Sequence, residues 1–371
     1  MANPFVYAKP VGPEDIVDRE EEARRLLELA LGGHNSRLSA PRRYGKTSLA
    51  RKLLTDAEAE GLSSVYVNCF GALSLDDVAL RIDLAYRSTF SGPVRDWLRG
   101  LIRGLRPTFS PPGTGVTISP APSDPTADQR ALLDLLDLPL RILERTQRRT
   151  VVVFDEFQDV LRVRPAVDGL LRSRIELHGD AASYVFAGSH PRMMAELFAE
   201  RSRPFYGQAT LVGLGRLEAA DLAEHLGARF AATGKHLGGL LELLLDAAGG
   251  HPQRAMLLAH HAWEQTPLGG EADEALWEDT LAAVYLEVRD ELEATWQGLD
   301  ETSRRVIAAI ALHGATWTRG EVLTRFVLAR TTAREAATRL GREGFLAEDG
   351  SPRLVDPLLA RWIAAGRQGL G

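Results

Sequence analysis

The stretch Ala40-Pro41-Arg42-Arg43-Tyr44-Gly45-Lys46-Thr47-Ser48 decides how this chain is read. It has the form of a phosphate-binding loop, x-P-R-R-x-G-K-T, between a strand and a helix. In such a turn the backbone N–H groups and the helix N-terminus converge on one spot and favour an anion there. Gly45 lets the backbone approach the phosphates, Lys46 reaches the β- and γ-phosphates, and the Thr47 hydroxyl ligates magnesium. Pro41, Arg42, Arg43, Tyr44 and Ser48 complete the nucleotide-contacting run. Ala40 stands where the pattern has glycine, so the turn requires a negative φ there. Of 44 basic residues only Lys9, Lys46, Lys52 and Lys235 are lysines, and one of the four falls where a phosphate ligand belongs.

About a hundred residues on, Val151-Val152-Val153-Phe154-Asp155-Glu156 reads as a buried parallel strand ending in paired carboxylates. Four consecutive apolar residues imply burial on both faces, and α/β sheets bind ligands at the C-terminal ends of their strands. Asp155 is expected to hold magnesium with Thr47. Glu156 is expected to orient and deprotonate an attacking water, with Lys46 stabilising charge on the transferred phosphoryl group. The two motifs together indicate ATP, ADP and Mg²⁺ as ligands and ATP hydrolysis as the reaction.

Three further runs accompany the loop: Asn3-Pro4-Phe5-Val6-Tyr7, Phe154-Asp155-Glu156-Phe157-Gln158 and Arg203-Pro204-Phe205-Tyr206-Gly207. In that order they resemble bacterial and archaeal ATPases of the AAA+/STAND group. The resemblance extends from Pro-Glu-Asp-Ile-Val-Asp-Arg-Glu (13–20) to Val355-Asp356-Pro357-Leu358. It implies an α/β fold, a P-loop parallel sheet with helices on both faces, plus a helical lid and a C-terminal winged-helix domain. The expected divisions are an ATPase core over 1–213, a lid over 214–298 and a winged helix over 299–371.

Weaker sites follow from position. Ile16, Val17, Asp18 and Arg19 match the segment that packs on adenine in the resembled group, although charged residues also open helices routinely. Ser189, at the end of a strand over Ser183–Gly188, is either a polar sensor of the γ-phosphate or a helix-start residue before Pro191. Gly250-His251-Pro252 looks like the lid motif that contacts nucleotide, with Arg254 as a second sensor. The same run also reads as a turn with proline opening a helix. Arg201 and Arg203 are candidates for an arginine finger, in cis or from a neighbouring subunit.

The remaining periodicity predicts helices over 14–31, 46–60 and 128–146, and a strand at Ser64–Asn68. Arg106–Pro125 is rich in turn residues and reads as an insertion with a small strand at Gly115–Ile118. A long helix is expected over 271–298, with Trp277, Leu281, Val284, Val288, Leu292 and Trp296 as its core stripe. In the last seventy residues, helices near 302–313, 319–328 and 332–342 precede a strand-turn-strand with Asp349-Gly350 at its tip. Thr332 and Glu335 form a candidate capping box for the third helix. Arg330, Arg334, Arg339 and Arg342 lie on or near it, so DNA and a protein are both open as its partner.

Composition agrees with a globular protein of two or three units. The chain has 371 residues, 45% hydrophobic and 25% charged, and a net charge of −6. That balance makes nucleic-acid contact a local matter. From residue 300 onward eleven arginines face eight acids (11 − 8 = +3). The single cysteine, Cys69, excludes an internal disulfide and suits a reducing cytoplasm. No signal-like N-terminus or membrane-length apolar run is apparent, so no membrane partner is expected.

Overall fold

The computed structural model describes residues 2–105, 125–164, 166–347 and 352–366. The expected strand at Gly115–Ile118 and the tip Asp349-Gly350 lie outside them. Five parallel strands form the central sheet: β1 (Ser36–Ser39), β2 (Ser63–Asn68), β3 (Thr150–Asp155), β4 (Ala182–Gly188) and β5 (Thr210–Gly213), in the order β2-β3-β4-β1-β5. The carboxylate strand β3 and the loop strand β1 are therefore separated by β4. This puts the end of β4, Ser189, between the phosphate loop and the Asp155-Glu156 pair.

Side chains alternate across a strand, and β3 divides accordingly. Val151 and Val153 pack on the face carrying helices α1 (Glu20–Leu31) and α2 (Lys46–Ala59), with Leu38, Leu49 and Leu53. Val152 and Phe154 pack on the other face. There they meet helices α3 (Leu75–Thr89), α4 (Gly92–Leu105), α5 (Pro125–Leu136), α6 (Leu138–Thr146), α7 (Val160–Val163), α8 (Val167–Ile175) and α9 (Pro191–Ala199) or their neighbours. The same period of two turns Asp155 toward the α2 face, where Thr47 opens the helix. The fold class is thus a P-loop parallel sheet with helices on both faces.

Beyond the sheet come α10 (Ala219–Ala232), α11 (Leu240–Ala248), α12 (Pro252–Gln265), α13 (Trp277–Gly298), α14 (Glu301–His313), α15 (Gly320–Arg325), α16 (Arg330–Arg342) and α17 (Pro357–Ala364). One apolar cluster runs through all of this part, from Leu217 and Leu222 to Trp362 and Ile363. The residues expected to form a lid and those expected to form a winged helix share that core.

Several boundaries differ from the sequence expectation, each for a local reason. The helix expected over 14–31 begins at Glu20, because Asp18 takes a left-handed φ of 46° and Ile16–Arg19 is not helical. The helix expected over 128–146 breaks at Asp137, where Pro139 in the next first turn lacks an N–H to continue the ladder. The long helix starts at Trp277, since Glu271–Ala272 pairs with His236–Leu237 and Asp273 caps a separate short turn. Its stripe Trp277, Val284, Val288, Leu292 and Trp296 is buried as core. The capping box fails: α16 starts at Arg330 after Ala329, so Thr332 lies inside the helix and caps nothing. The expected strand pair is a single antiparallel bridge, Leu346 to Leu354, followed by α17, which the periodicity did not suggest.

Candidate functional site

A cavity of about 1170 Å³ opens at the C-terminal edge of the sheet. It is lined by the loop from Arg42 to Ser48, by Glu156 and Ser189, by the start of α12, by one side of α13, and by Phe345 and Asp356. The loop's shape comes from two left-handed residues, Arg43 (φ 67°) and Gly45 (φ 89°). Ala40 is not among the positive-φ residues, so alanine is compatible with the turn. A Cβ on Gly45 would meet nothing within 4 Å, so its conformation, not a lack of room, calls for glycine there.

Lys46 is 5% exposed and donates from Nζ to the loop's own carbonyls, Ala40 O at 2.9 Å and Pro41 O at 2.8 Å. Burial pushes its pKa down to about 8, against the pull of Glu156 and Asp155. Thr47 Oγ1 donates to Asp155 Oδ2 at 2.8 Å, and Tyr66 Oη donates to the same oxygen at 2.5 Å. The remaining oxygen, Oδ1, accepts the Glu156 backbone N–H at 3.0 Å. Tyr66 is a site neighbour that the motif reading missed. It lies on β2, which runs in register beside β3, and only that pairing brings it to Asp155.

Glu156 sits at a left-handed φ of 54°, which turns it away from the strand line. Its Oε2 accepts from Ser189 Oγ at 2.5 Å and from the Gln158 side chain. Ser189 also lies at hydrogen-bond distance from His190 Nδ1, 3.3 Å. Ser189 therefore joins the carboxylate end of the site and still precedes a helix that opens with Pro191.

The opposite wall comes from the helical part. Gly249 and Gly250 both take positive φ, and a Cβ on Gly250 would stand 2.7 Å from Leu217 O, so the turn packs tightly on the entry to α10. His251 caps the helix by accepting the Arg254 N–H at 3.3 Å, and its ring meets Tyr44 of the loop edge-on at 4.9 Å. Burial pushes His251 down to about 3, so it is neutral at ordinary pH. Arg254 is 1% exposed. Its Nε donates to Asp356 Oδ1 at 3.1 Å, and Nη2 donates to Asp356 Oδ2 at 2.5 Å and to Glu291 Oε1 at 3.1 Å. Nη1 is buried without a hydrogen-bond partner among the described residues. Burial opposes charge on Arg254, but Asp356 and Glu291 outweigh it and keep the guanidinium positive. Glu291 also pairs with Arg43 of the loop at 2.5 Å, joining the two walls.

Some expected residues are placed elsewhere. Val17 and Arg19 line the cavity, but Asp18 does not; its carboxylate accepts the Glu218 N–H at 3.4 Å. Arg19 is spent on Gly215 O and Glu22. Pro41 and Gly250 shape the walls through their backbones, while Pro252 lines the cavity directly. Arg201 and Arg203 are exposed on the loop after α9, away from the cavity lining, and Arg203 pairs with Asp168 at 3.5 Å. Arg339 and Arg342 are also engaged, with Asp300 at 2.6 Å and Glu196 at 3.5 Å, whereas Arg330 and Arg334 stand exposed at the other end of α16.

No protein-family model and no curated protein matches this sequence. Solved structures do. A Walker-type ATPase of Pyrococcus abyssi superimposes with a TM-score of 0.67 at 19% identity, covering 96% of this chain and 99% of that one. The fold is that of P-loop ATPases. The ORC2 protein of Aeropyrum pernix, solved in ADPNP–ADP complexes, gives 0.60 at 17% identity, with 97% and 98% covered. The ORC1 protein of the same organism, solved in complex with DNA, gives 0.50 at 17% identity, with 97% and 94% covered. Among the described residues, no helix is long and apolar enough to cross a membrane.

Proposed function

We propose that this chain is an AAA+/STAND-like ATPase that binds Mg·ATP in the cavity, hydrolyses it slowly, and uses nucleotide state to reposition a C-terminal winged helix. The observation that carries this reading is that Lys46, Thr47, Glu156 and Ser189 line one end of a single cavity, with Asp155 buried directly behind Thr47 and bonded to it. The buried guanidinium of Arg254, with its spare N–H, stands on the facing wall. A cavity with anion-binding backbone, a buried lysine and a buried arginine fits polyphosphate chemistry.

Thr47 Oγ1 and Asp155 Oδ2 are adjacent hard oxygen donors, a set that suits Mg²⁺. When bound, that ion would neutralise charge on the β- and γ-phosphates. In the same reading Lys46 exchanges the Ala40 and Pro41 carbonyls for phosphate oxygens. Glu156 takes a proton from the attacking water, and Ser189 and Gln158 hold its carboxylate until then. The expected nucleotide path runs from the loop to the Gly250–Pro252 turn, with Val17 on the adenine side. Arg201 and Arg203 lie off the cavity lining, so in this reading neither serves as an arginine finger within its own chain.

Steady-state phosphate release tests the reading. Mg²⁺-dependent turnover should appear in the wild type and fall by about 10²–10⁴-fold in Glu156→Gln, the range for loss of a general base. Turnover unchanged in that variant, or none in the wild type with no ATP binding, contradicts it. A second reading, a DNA-binding initiator or loader-like ATPase, draws on the exposed Arg330 and Arg334. It predicts salt-sensitive duplex DNA binding that Arg330→Ala/Arg334→Ala removes. A protein partner for the same helix predicts no DNA effect. A cytoplasmic setting accords with ATP as substrate and with the single free thiol of Cys69.

A further inference from the structure

The C-terminal segment reaches into the nucleotide cavity, and three observations define how. Val355 packs in the apolar cluster of the sheet with Ala40, Tyr44 and Leu214, not in the helical cluster that holds its neighbours Leu354 and Leu358. Arg216, at the entry to the helical part, donates to Leu354 O at 3.2 Å and also to Gly249 O beside the Gly250–Pro252 turn. Asp356 takes two N–H groups of Arg254 with both carboxylate oxygens. Residues 354–356 are thus clasped between the sheet's apolar cluster, Arg216 and Arg254 of α12.

We infer that Asp356 is a positioning residue for Arg254, so that the C-terminal part completes the nucleotide site instead of merely riding on it. This rests on the ATP-binding reading above and adds a regulation to it. A guanidinium is planar and offers its donors in a fixed fork. Asp356 occupies the Nε–Nη2 edge and Glu291 shares Nη2, which leaves Nη1 alone without a partner. A buried N–H without an acceptor costs free energy that an incoming phosphate oxygen would recover. Held by two carboxylates, Arg254 cannot rotate away and need not lose side-chain entropy again when the anion arrives.

The consequence is reciprocal. If docking of residues 354–356 orients Arg254, then ATP that uses Arg254 must strengthen that docking by the same factor. A partner that pulls α17 away would withdraw Asp356 and weaken ATP retention. The opposite arrangement, with Asp356 competing against phosphate for the guanidinium, predicts the opposite sign and is the direct rival.

The substitution Asp356→Asn separates them cleanly. Asp356 also caps α17, accepting the Leu358 and Leu359 N–H groups, and asparagine caps about as well as aspartate. The variant therefore keeps the cap and loses the charge. Full-length protein is titrated with a non-hydrolysable ATP analogue and with ADP, in wild type, Asp356→Asn, Arg254→Ala and the double variant. The expected result is about tenfold weaker analogue binding in Asp356→Asn, a smaller loss for ADP, and no additional loss in the Arg254→Ala background. Unchanged or tighter analogue binding overturns the inference while leaving the ATP reading intact. Wild-type protein that binds neither nucleotide overturns the parent reading and this one with it. A measurement needing no variant runs alongside: hydrogen exchange of the Leu358 and Leu359 amides should slow when the analogue is added to wild type. Faster or unchanged exchange there contradicts the inference.

Discussion

On the sheet side of the cavity, Thr47, Asp155, Glu156 and Ser189 all sit within two residues of a strand or helix end, and parallel register brings them together. On the helical side, Arg254, Glu291 and Asp356 come from α12, α13 and the start of α17, more than a hundred residues apart at the extremes. The first wall is assembled by strand pairing; the second rests on a shared apolar core, with its charged groups gathered around the one buried guanidinium of Arg254. The molecule is accordingly freer to change on its helical side. A wall built on sheet register cannot shift without unpairing strands, whereas helices joined by side-chain packing and a few ion pairs can slide or rotate as units.

The largest effect on ligand binding is expected on the sheet side. Lys46→Ala removes the buried cation from the loop and should weaken Mg·ATP binding by about 100-fold or more, with little change in melting temperature, since Lys46 bonds only loop carbonyls. Calorimetric titration and thermal melting check the two parts. On the helical side the balance should reverse. Asp356→Ala strips Arg254 of its main counter-charge and α17 of its cap, and should cost about 3–5 kcal/mol of stability in denaturant unfolding. An equal loss from Arg43→Ala would remove the distinction, because the Arg43–Glu291 pair is nearly half exposed and such pairs are worth about 0–1 kcal/mol.

A pH series sharpens it further. Lys46 titrates near 8 in the free loop, and bound phosphate raises that value. Protonation is therefore favoured by binding: affinity is fully present below about pH 8 and declines as pH rises above it, by at most about tenfold per unit. His251, pushed down to about 3, should add no inflection between pH 5 and 7. The profile belongs to the Mg·ATP dissociation constant, and Lys46→Arg should flatten it. The smallest effect expected is from Tyr66→Phe. Deleting its hydroxyl removes one of two donors on Asp155 Oδ2 and should raise the Mg²⁺ concentration needed for half-maximal ATP binding by about two- to fivefold.

Legibility followed the same division. The loop and the Asp155-Glu156 strand were readable because a few contiguous residues carry both the conformation and the chemistry. Gly45 supplies the left-handed turn, and the Val151–Phe154 run marks a strand buried on both faces. Ser189 was readable as a strand end. Tyr66 was not, since its role depends on which strand lies beside β3, and no local pattern states that. Arg254 could be suspected from the turn before it, but its partners Glu291 and Asp356 look like ordinary surface acids until α13 and α17 are packed. The capping box at Thr332 misled because α16 begins one residue past Ala329, set by packing of Ala333, Ala336 and Leu340 into the helical core.

What the cavity holds after purification separates a working nucleotide site from an empty one. Wild-type protein and Glu156→Gln should be purified without added nucleotide, denatured, and the released small molecules identified by chromatography. ADP from the wild type and ATP from the variant is the predicted result, giving a hydrolysing switch with Glu156 as its base. No nucleotide from either protein, together with no uptake of added Mg·ATP, would contradict the central claim.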